Sequence, residues 1–278
     1  MKLFVNNLTN VDFSYLHPTR GLMGESWLVQ LELDGSLNDQ GMVCDFGVVK
    51  KLVREWMDTT IDHALVVPTE MERLCVSADA GETEVKWQYP DGGELVCRSP
   101  SRAIALVEID EVTPESLAAW CIEKLMALFP QEVRGMRLSF VPESIDGAFY
   151  HYSHGLQQHN GNCQRIAHGH RSRVEIFVND VRDDKLEADL ATRWKDIYIG
   201  TKAHRQEGPE GVNVYAYDAP QGEFYLSLPS DRCYDIDTET TVEQIAQHLA
   251  ERTKQIRPLD EVRVRAYEGI GKGAISEA

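Results

Sequence analysis

The sequence predicts an α+β fold laid down twice, each copy an antiparallel four-stranded sheet with two helices on one face. Three observations predict it. Period-2 runs alternate with amphipathic helical stretches. Similar blocks recur at a spacing of about 125 to 137 residues. Each copy closes on a strand that ends in glutamate, residues 136–143 in one and 262–268 in the other.

The elements follow in order. An early strand carries Phe13-Ser14-Tyr15-Leu16-His17, and the alternating run 26–33 is its hairpin partner. His154 and the run 171–178 repeat that pair. A helix opens at Thr113, with Thr113 as cap, Pro114 in the first turn and an apolar face of Leu117, Cys121, Leu125 and Leu128. Its counterpart begins at Thr240, where Thr240 and Glu243 have capping-box spacing. Between its helices each copy carries a hairpin, turning at Tyr89-Pro90-Asp91-Gly92-Gly93 and at Ala219-Pro220-Gln221-Gly222. The boundary falls near Gly147, giving modules 1–146 and 147–278. No Pro- or Ser-rich linker separates them, so the copies are expected to pack closely.

Composition narrows the function. A formal net charge of -17 and no basic block argue against nucleic acid or an anionic membrane as partner. An anionic substrate must then be drawn in locally, by a metal and a few placed cations. Six cysteines are scattered without a CxxC, and no apolar run approaches membrane-spanning length, which predicts reduced thiols in a soluble cytoplasmic protein.

The chemistry concentrates in the middle of the sequence. Of nine histidines, five (His151, His154, His159, His168, His170) fall within about twenty residues. His168 and His170 are two apart on a period-2 segment and project from one face of a strand. A third imidazole from an adjacent strand completes a three-histidine set that leaves a tetrahedral Zn2+ one open position, the arrangement of a catalytic site. Cys163 lies between them, and three roles stay open for it on this ground: fourth ligand, inert thiol, or nucleophile or base. The glycines of 269–273 lack the order and the Lys-Ser/Thr ending of a phosphate loop.

With both copies laid out, the protein resembles the 6-pyruvoyl-tetrahydropterin synthase and 6-carboxy-tetrahydropterin synthase family, duplicated in tandem. Gly41-Met42-Val43-Cys44-Asp45-Phe46-Gly47 looks like its strand-to-helix signature and Ile61-Asp62-His63 like its catalytic Asp-His pair. The second copy carries what looks like its zinc triad, His154, His168 and His170, and its catalytic thiol, Cys163. The resemblance implies two T-fold modules, a homo-oligomer, and a site to which one subunit brings zinc and thiol while its neighbour brings the Asp-His pair. The first copy keeps His17 but reads Met23-Gly24-Glu25 in place of His-Gly-His, and the second reads 199–204 in place of Asp-His. The copies are therefore expected to be complementary, with Asp62 and His63 of the first completing the metal site of the second.

The substrate so implied is 7,8-dihydroneopterin triphosphate, which loses triphosphate. Zinc acidifies a C–H bond next to a substrate hydroxyl, Cys163 takes the proton, His63 oriented by Asp62 moves a second, and Glu268, or else Glu143, holds the pterin ring by paired hydrogen bonds. Arg165, Arg171, Lys202 and Lys272 are candidates for the triphosphate. A 6-carboxy-tetrahydropterin synthase-like lyase, as in queuosine biosynthesis, is the expected activity. Formation of 6-pyruvoyl-tetrahydropterin is the alternative product, and a non-catalytic pterin- or purine-binding protein the alternative class.

Overall fold

A computed structural model describes residues 1–278. The first half runs β1 (Lys2–His17), β2 (Gly21–Gly35), α1 (Phe46–Thr60), β3 (Leu65–Pro68), β4 (Leu74–Asp79), β5 (Glu82–Gln88), β6 (Glu94–Pro100), β7 (Ile104–Val107), α2 (Pro114–Met126) and β8 (Val133–Pro142). The second runs β9 (Phe149–His154), β10 (His168–Val178), β11 (Val181–Arg182), α3 (Asp184–Arg193), β12 (Ile197–Thr201), β13 (Arg205–Gln206), β14 (Val212–Ala219), β15 (Gly222–Pro229), β16 (Cys233–Ile236), α4 (Val242–Ile256), β17 (Val262–Tyr267) and β18 (Gly273–Glu277). The α+β class holds, with two helices in each half.

Helix starts follow local chemistry. Asp45 caps α1, accepting from the amides of Gly47 and Val48, and Val49, Val53 and Met57 form its buried stripe. Thr113 and Ser116 close a capping box on α2, with Leu117, Cys121 and Leu125 buried. Leu128 lies beyond the end of α2 and is exposed. The expected cap at Thr240 is displaced by one residue. Thr241 caps α4 through the Gln244 amide, which leaves Thr240 fully buried and free for another partner.

The sheets depart from four antiparallel strands. The first has five strands in the order β7-β3-β1-β2-β8, and the second runs β16-β12-β9-β10-β17-β18 with β11 against β10. β3 and β7, like β12 and β16, add in parallel at one edge. These are short runs; β3 is buried at every position, so it carries no period-2 signal to read. The two hairpins that looked independent join across the halves, β6 pairing with β15 at Cys97 opposite Leu226, in a third sheet β13-β14-β15-β6-β5-β4. Under it lies a core drawn from both halves, including Leu16, Trp87, Ile166, Tyr198 and Phe224.

The two main sheets meet backbone to backbone. A Cβ on Gly24 of β2 would stand 1.8 Å from the Tyr152 carbonyl oxygen and 2.4 Å from the His170 nitrogen, and one on Gly169 would stand 2.6 Å from the Gly24 Cα. Only glycine permits that approach. Beside it Ser14 and Ser153 share a buried hydrogen bond of 2.7 Å. Gly24→Ala therefore forces the sheets apart and is expected to lower stability by about 1–3 kcal/mol or more, with loss of metal binding. Gly135→Ala, whose Cβ would meet nothing closer than 3.6 Å, is the control expected to leave the melting temperature nearly unchanged in a thermal scan.

Candidate metal and catalytic centre

His168 and His170 project from β10 and His154 from the end of β9, where His154 stands directly opposite His168. All three are buried, and their ligand nitrogens lie within 4.8 Å of one another. The Nδ1–H of His154 donates to the Thr240 carbonyl oxygen at 3.0 Å, and that of His168 to the Arg165 carbonyl oxygen at 2.9 Å. A carbonyl only accepts, so each ring holds its proton on Nδ1 and presents a bare Nε2. His170 turns Nδ1 toward the Asp12 carboxylate at 3.4 Å.

Those tautomers aim two lone pairs at one point, on which Nε2 of His170 also converges. The Nε2 atoms of His154 and His170 are 3.2 Å apart, and Nε2 of His168 is buried with no partner at all. A tetrahedral metal about 2.0–2.1 Å from each nitrogen would set its ligands roughly 3.3 Å apart. Burial, with the neighbouring histidines adding to it, holds His154 and His168 well below the usual imidazole range, so both are neutral. The site thus has the spacing, the tautomers and the outer hydrogen bonds that a divalent metal requires.

The Asp-His pair of the first half arrives at the same place. His63 lies with Cys163 and His168 in a second group whose ligand atoms fall within 4.8 Å, and its ring centroid is 5.1 Å from that of His168. Its Nδ1 is 2.5 Å from Asp62 Oδ2. Burial works against the imidazolium, but hydrogen bonds with Asp62 and Cys163 outweigh it and raise His63 to about 10. Two backbone bonds fix the pair: the Asp12 amide donates to Asp62 Oδ1 at 2.8 Å, and the His63 amide to the Asp12 carbonyl at 2.6 Å. The Cys163 loop is tied to the first half as well, Asn162 donating to the Asp58 carbonyl and Arg165 to that of Asp62.

Asp12 and Thr240 are the residues that sequence patterns miss. Asp12 is buried, takes the Ser26 hydroxyl at 2.5 Å and Lys272 at 3.1 Å, and faces His170. Burial alone would raise its pKa, but His170, Lys272 and Ser26 hold it well below the usual carboxylate range. Glu268 stands with Oε1 3.8 Å from His170 Nε2 and Oε2 3.9 Å from Lys272. Glu143 lies instead by Arg173, at 3.5 Å, with its Oε2 buried and unpartnered.

Strand registers correct two expectations about the first half's counterpart of this site. Ser14 stands opposite Gly24 as Ser153 stands opposite Gly169, so Tyr15, Met23 and Glu25 occupy the places of His154, His168 and His170. His17 does not correspond to His154; it faces Gly21 at the turn and approaches Glu111. The first hairpin turns at 18–20 where the second carries the loop 155–167, which shifts the apparent match. Likewise β3 runs beside β1 with Leu65 at Ser14, and β12 beside β9 with Tyr198 at Ser153, so the place of His63 is taken by Asp196 rather than by anything in 199–204. Both His63 and Asp196 hold a φ of 55°. Asp196 binds the Arg20 guanidinium through both oxygens, and His204 bonds Gln157 and Glu239.

Two measurements follow. Asp12→Asn keeps the shape but removes the charge behind His170, and is expected to weaken metal binding about 10- to 100-fold in a chelator competition. Burial pushes Glu25 up to about 7 against the pull of the Ser26 amide and Arg171. An acid raised in the folded state loses stability as pH climbs from its unfolded value to its folded one, here between about 4.5 and 7. Glu25→Gln is expected to be more stable than the parent above pH 7, with the difference closing toward pH 4.5 in denaturant titrations.

Comparison with known proteins gives the family. A family model described as 6-pyruvoyl tetrahydropterin synthase matches residues 10–151, a stretch that holds Asp62, His63 and Glu143 and ends before His154. A relative from Pyrococcus abyssi named "Putative 6-carboxy-5,6,7,8-tetrahydropterin synthase" is 23% identical over 46% of this chain and 73% of its own. One of the same name from Methanocaldococcus jannaschii is 31% identical over 37% of this chain and 61% of its own. The solved 6-pyruvoyltetrahydropterin synthase of Plasmodium vivax superposes with a TM-score of 0.43 at 19% identity, over 52% of this chain and 93% of that one. Since the family model spans half of its length, the protein belongs to the 6-pyruvoyl tetrahydropterin synthase family.

Proposed function

We propose that this protein is a zinc-dependent lyase that acts on 7,8-dihydroneopterin triphosphate and one water, releasing triphosphate and, by cleavage of a side-chain carbon–carbon bond, the outer two carbons as acetaldehyde, and leaving 6-carboxy-tetrahydropterin. The observation that carries the reading is the meeting, within one polypeptide, of three converging imidazoles with the Cys163-His63-Asp62 series. The 6-carboxy product is favoured because the archaeal relatives bear that name. We read the protein as two tandem T-fold modules, 1–146 and 147–278, of which only the second keeps a metal set.

A zinc ion held by His154, His168 and His170 would supply Lewis-acid polarisation of the substrate's hydroxyl and carbonyl oxygens. The protein's own groups then divide the proton work. Cys163 beside the His63 imidazolium is the Cys-His arrangement in which sulfur serves as a base. In this scheme Cys163 takes the proton from the carbon next to the polarised oxygen, and His63, fixed by Asp62, carries the second transfer. Glu268, beside the triad and partly open, is the carboxylate suited to accept paired N–H donors of the pterin ring. Glu143 has the same chemistry on the side that lacks the metal set.

The edge strands β8 and β18 have no outer neighbour within one protomer, and we assign them to pairing between copies in a homo-oligomer. No helix is long and apolar enough to cross a membrane.

The reading is tested by incubating zinc-loaded protein with 7,8-dihydroneopterin triphosphate and identifying the pterin by mass. 6-Carboxy-tetrahydropterin is expected. Cys163→Ala is expected to abolish turnover while one zinc per protomer remains. Intact substrate after incubation with fully loaded protein would replace this reading by a binding role.

A further inference from the structure

Arg165 is the only buried arginine in the protein. A guanidinium out of water ordinarily sits against a carboxylate, because an unpaired buried charge is costly. Arg165 has none: its Nε donates to Gln221 Oε1 at 3.2 Å and its Nη1 to the Asp62 carbonyl at 3.4 Å. The Asp62 carboxylate is already committed to His63 and to the Asp12 amide. A second guanidinium is brought up to the first. Arg102, in the turn between β6 and β7, donates to the Gln221 carbonyl at 2.9 Å and also forms no ion pair. Burial, and after it the charge of Arg102, depress Arg165 to about 10, so it stays cationic at neutral pH.

Nothing in this arrangement is loose. Gln221 donates from its amide to Gln164 Oε1 at 2.6 Å and from Nε2 to Asn162 Oδ1 at 2.8 Å, so the residue that gathers both arginines also braces the loop of Cys163. The Arg165 carbonyl holds His168, which fixes the guanidinium relative to the metal triad. The other cations that the sequence offers for an anion are occupied. Arg171 donates to the Glu143 carbonyl and lies over the Phe149 ring, Lys202 pairs with Asp237, and Lys272 pairs with Asp12.

In a protein with 45 acidic residues, two guanidiniums set against each other and left without carboxylates mark a place for a multivalent anion. We propose that Arg102 of the first half and Arg165 of the second form the subsite for the polyphosphate tail of the substrate, beside Cys163. The assignment rests on the reading of the substrate as a phosphate ester, and the test separates the two.

Inorganic tripolyphosphate is titrated calorimetrically into the zinc-loaded full-length protein, and its inhibition of turnover is measured. The parent protein is expected to bind it and to be inhibited competitively. Arg102→Ala, an exposed position where folding is not at risk, is expected to weaken tripolyphosphate binding and raise KM about 10- to 100-fold, with zinc content retained and kcat changed far less. Arg165→Lys, which keeps the charge but loses the planar fork, is expected to weaken binding in the same direction. Arg134→Ala, on β8, serves as the control with unaltered binding. Unchanged affinity in both variants, or no binding by the parent, overturns the subsite. Arginine-dependent tripolyphosphate binding without turnover of the pterin would support the subsite and remove the substrate reading alone.

Discussion

The contact on which the rest depends is the glycine-to-glycine approach of the two main sheets. Gly24 and Gly169 let β2 and β10 come together where any side chain would collide with backbone. Because the contact is made by backbone atoms, it transmits position with little slack. Everything that the first half lends to the metal triad hangs from β1 and β2 within a few residues of it: Asp12 behind His170, Ser26 behind Asp12, and through the Asp12 backbone both Asp62 and His63. A shift of one residue in the register of β1 would turn Asp12 to the opposite face and remove all of them at once.

That contact is nearly symmetric, and its asymmetries explain the division of labour. Asp12 faces His170 across the junction, and in the mirrored position His151 faces Glu25 at 3.8 Å. An acid and a histidine have changed places. On one side the carboxylate supports a metal-facing imidazole. On the other, Glu25 and a thioether, Met23, make a poor nitrogen-metal set, and Arg20 with Asp196 fills the ground held opposite by Cys163 and His63. The Arg20 guanidinium thereby bridges the halves with a bidentate pair in place of an open site. The centre near Cys163 is left as the place where both halves direct open chemistry.

Much of this was legible in the sequence because it is local. The period-2 spacing of His168 and His170 and the cap at Thr113 are each set by a few neighbouring residues, and each stands where such patterns put it, while Glu143 and Glu268 fall one residue beyond the strands expected to end in them. Asp62 and His63 were legible as a pair and as the complement of the second half, since that half has no such pair. What escaped depends on register and on segments far apart along the polypeptide. His17 matches His154 in spacing from an aromatic residue, but hairpins of different length slide the match by two positions, to Tyr15. Asp12 sits in a strand between Val11 and Phe13 with no motif around it, and its role exists only once β10 lies across it. The shared third sheet was equally invisible, because pairing of β6 with β15 is a relation between halves and leaves no mark in either hairpin's own alternation.

Placing the histidine triad and the Asp62-His63 pair on different halves of one polypeptide has a consequence for how the site forms. Three imidazoles crowd one point, and the partly buried His63 imidazolium and the buried Arg165 guanidinium beside them add charge that burial disfavours. Neither half alone has reason to hold such groups in place. The second half would carry Arg165 without the Asp62 carbonyl, and the first would carry His63 without the Cys163 sulfur. The Asp62 carbonyl and the Cys163 sulfur reach these groups only across the junction, and Gln221 braces the Cys163 loop beside it, so the geometry around Cys163 is a property of the finished junction. Covalent linkage of the halves makes that docking intramolecular, and the cost of assembling a strained, charged site is met by covalent connectivity rather than by the concentration of a partner.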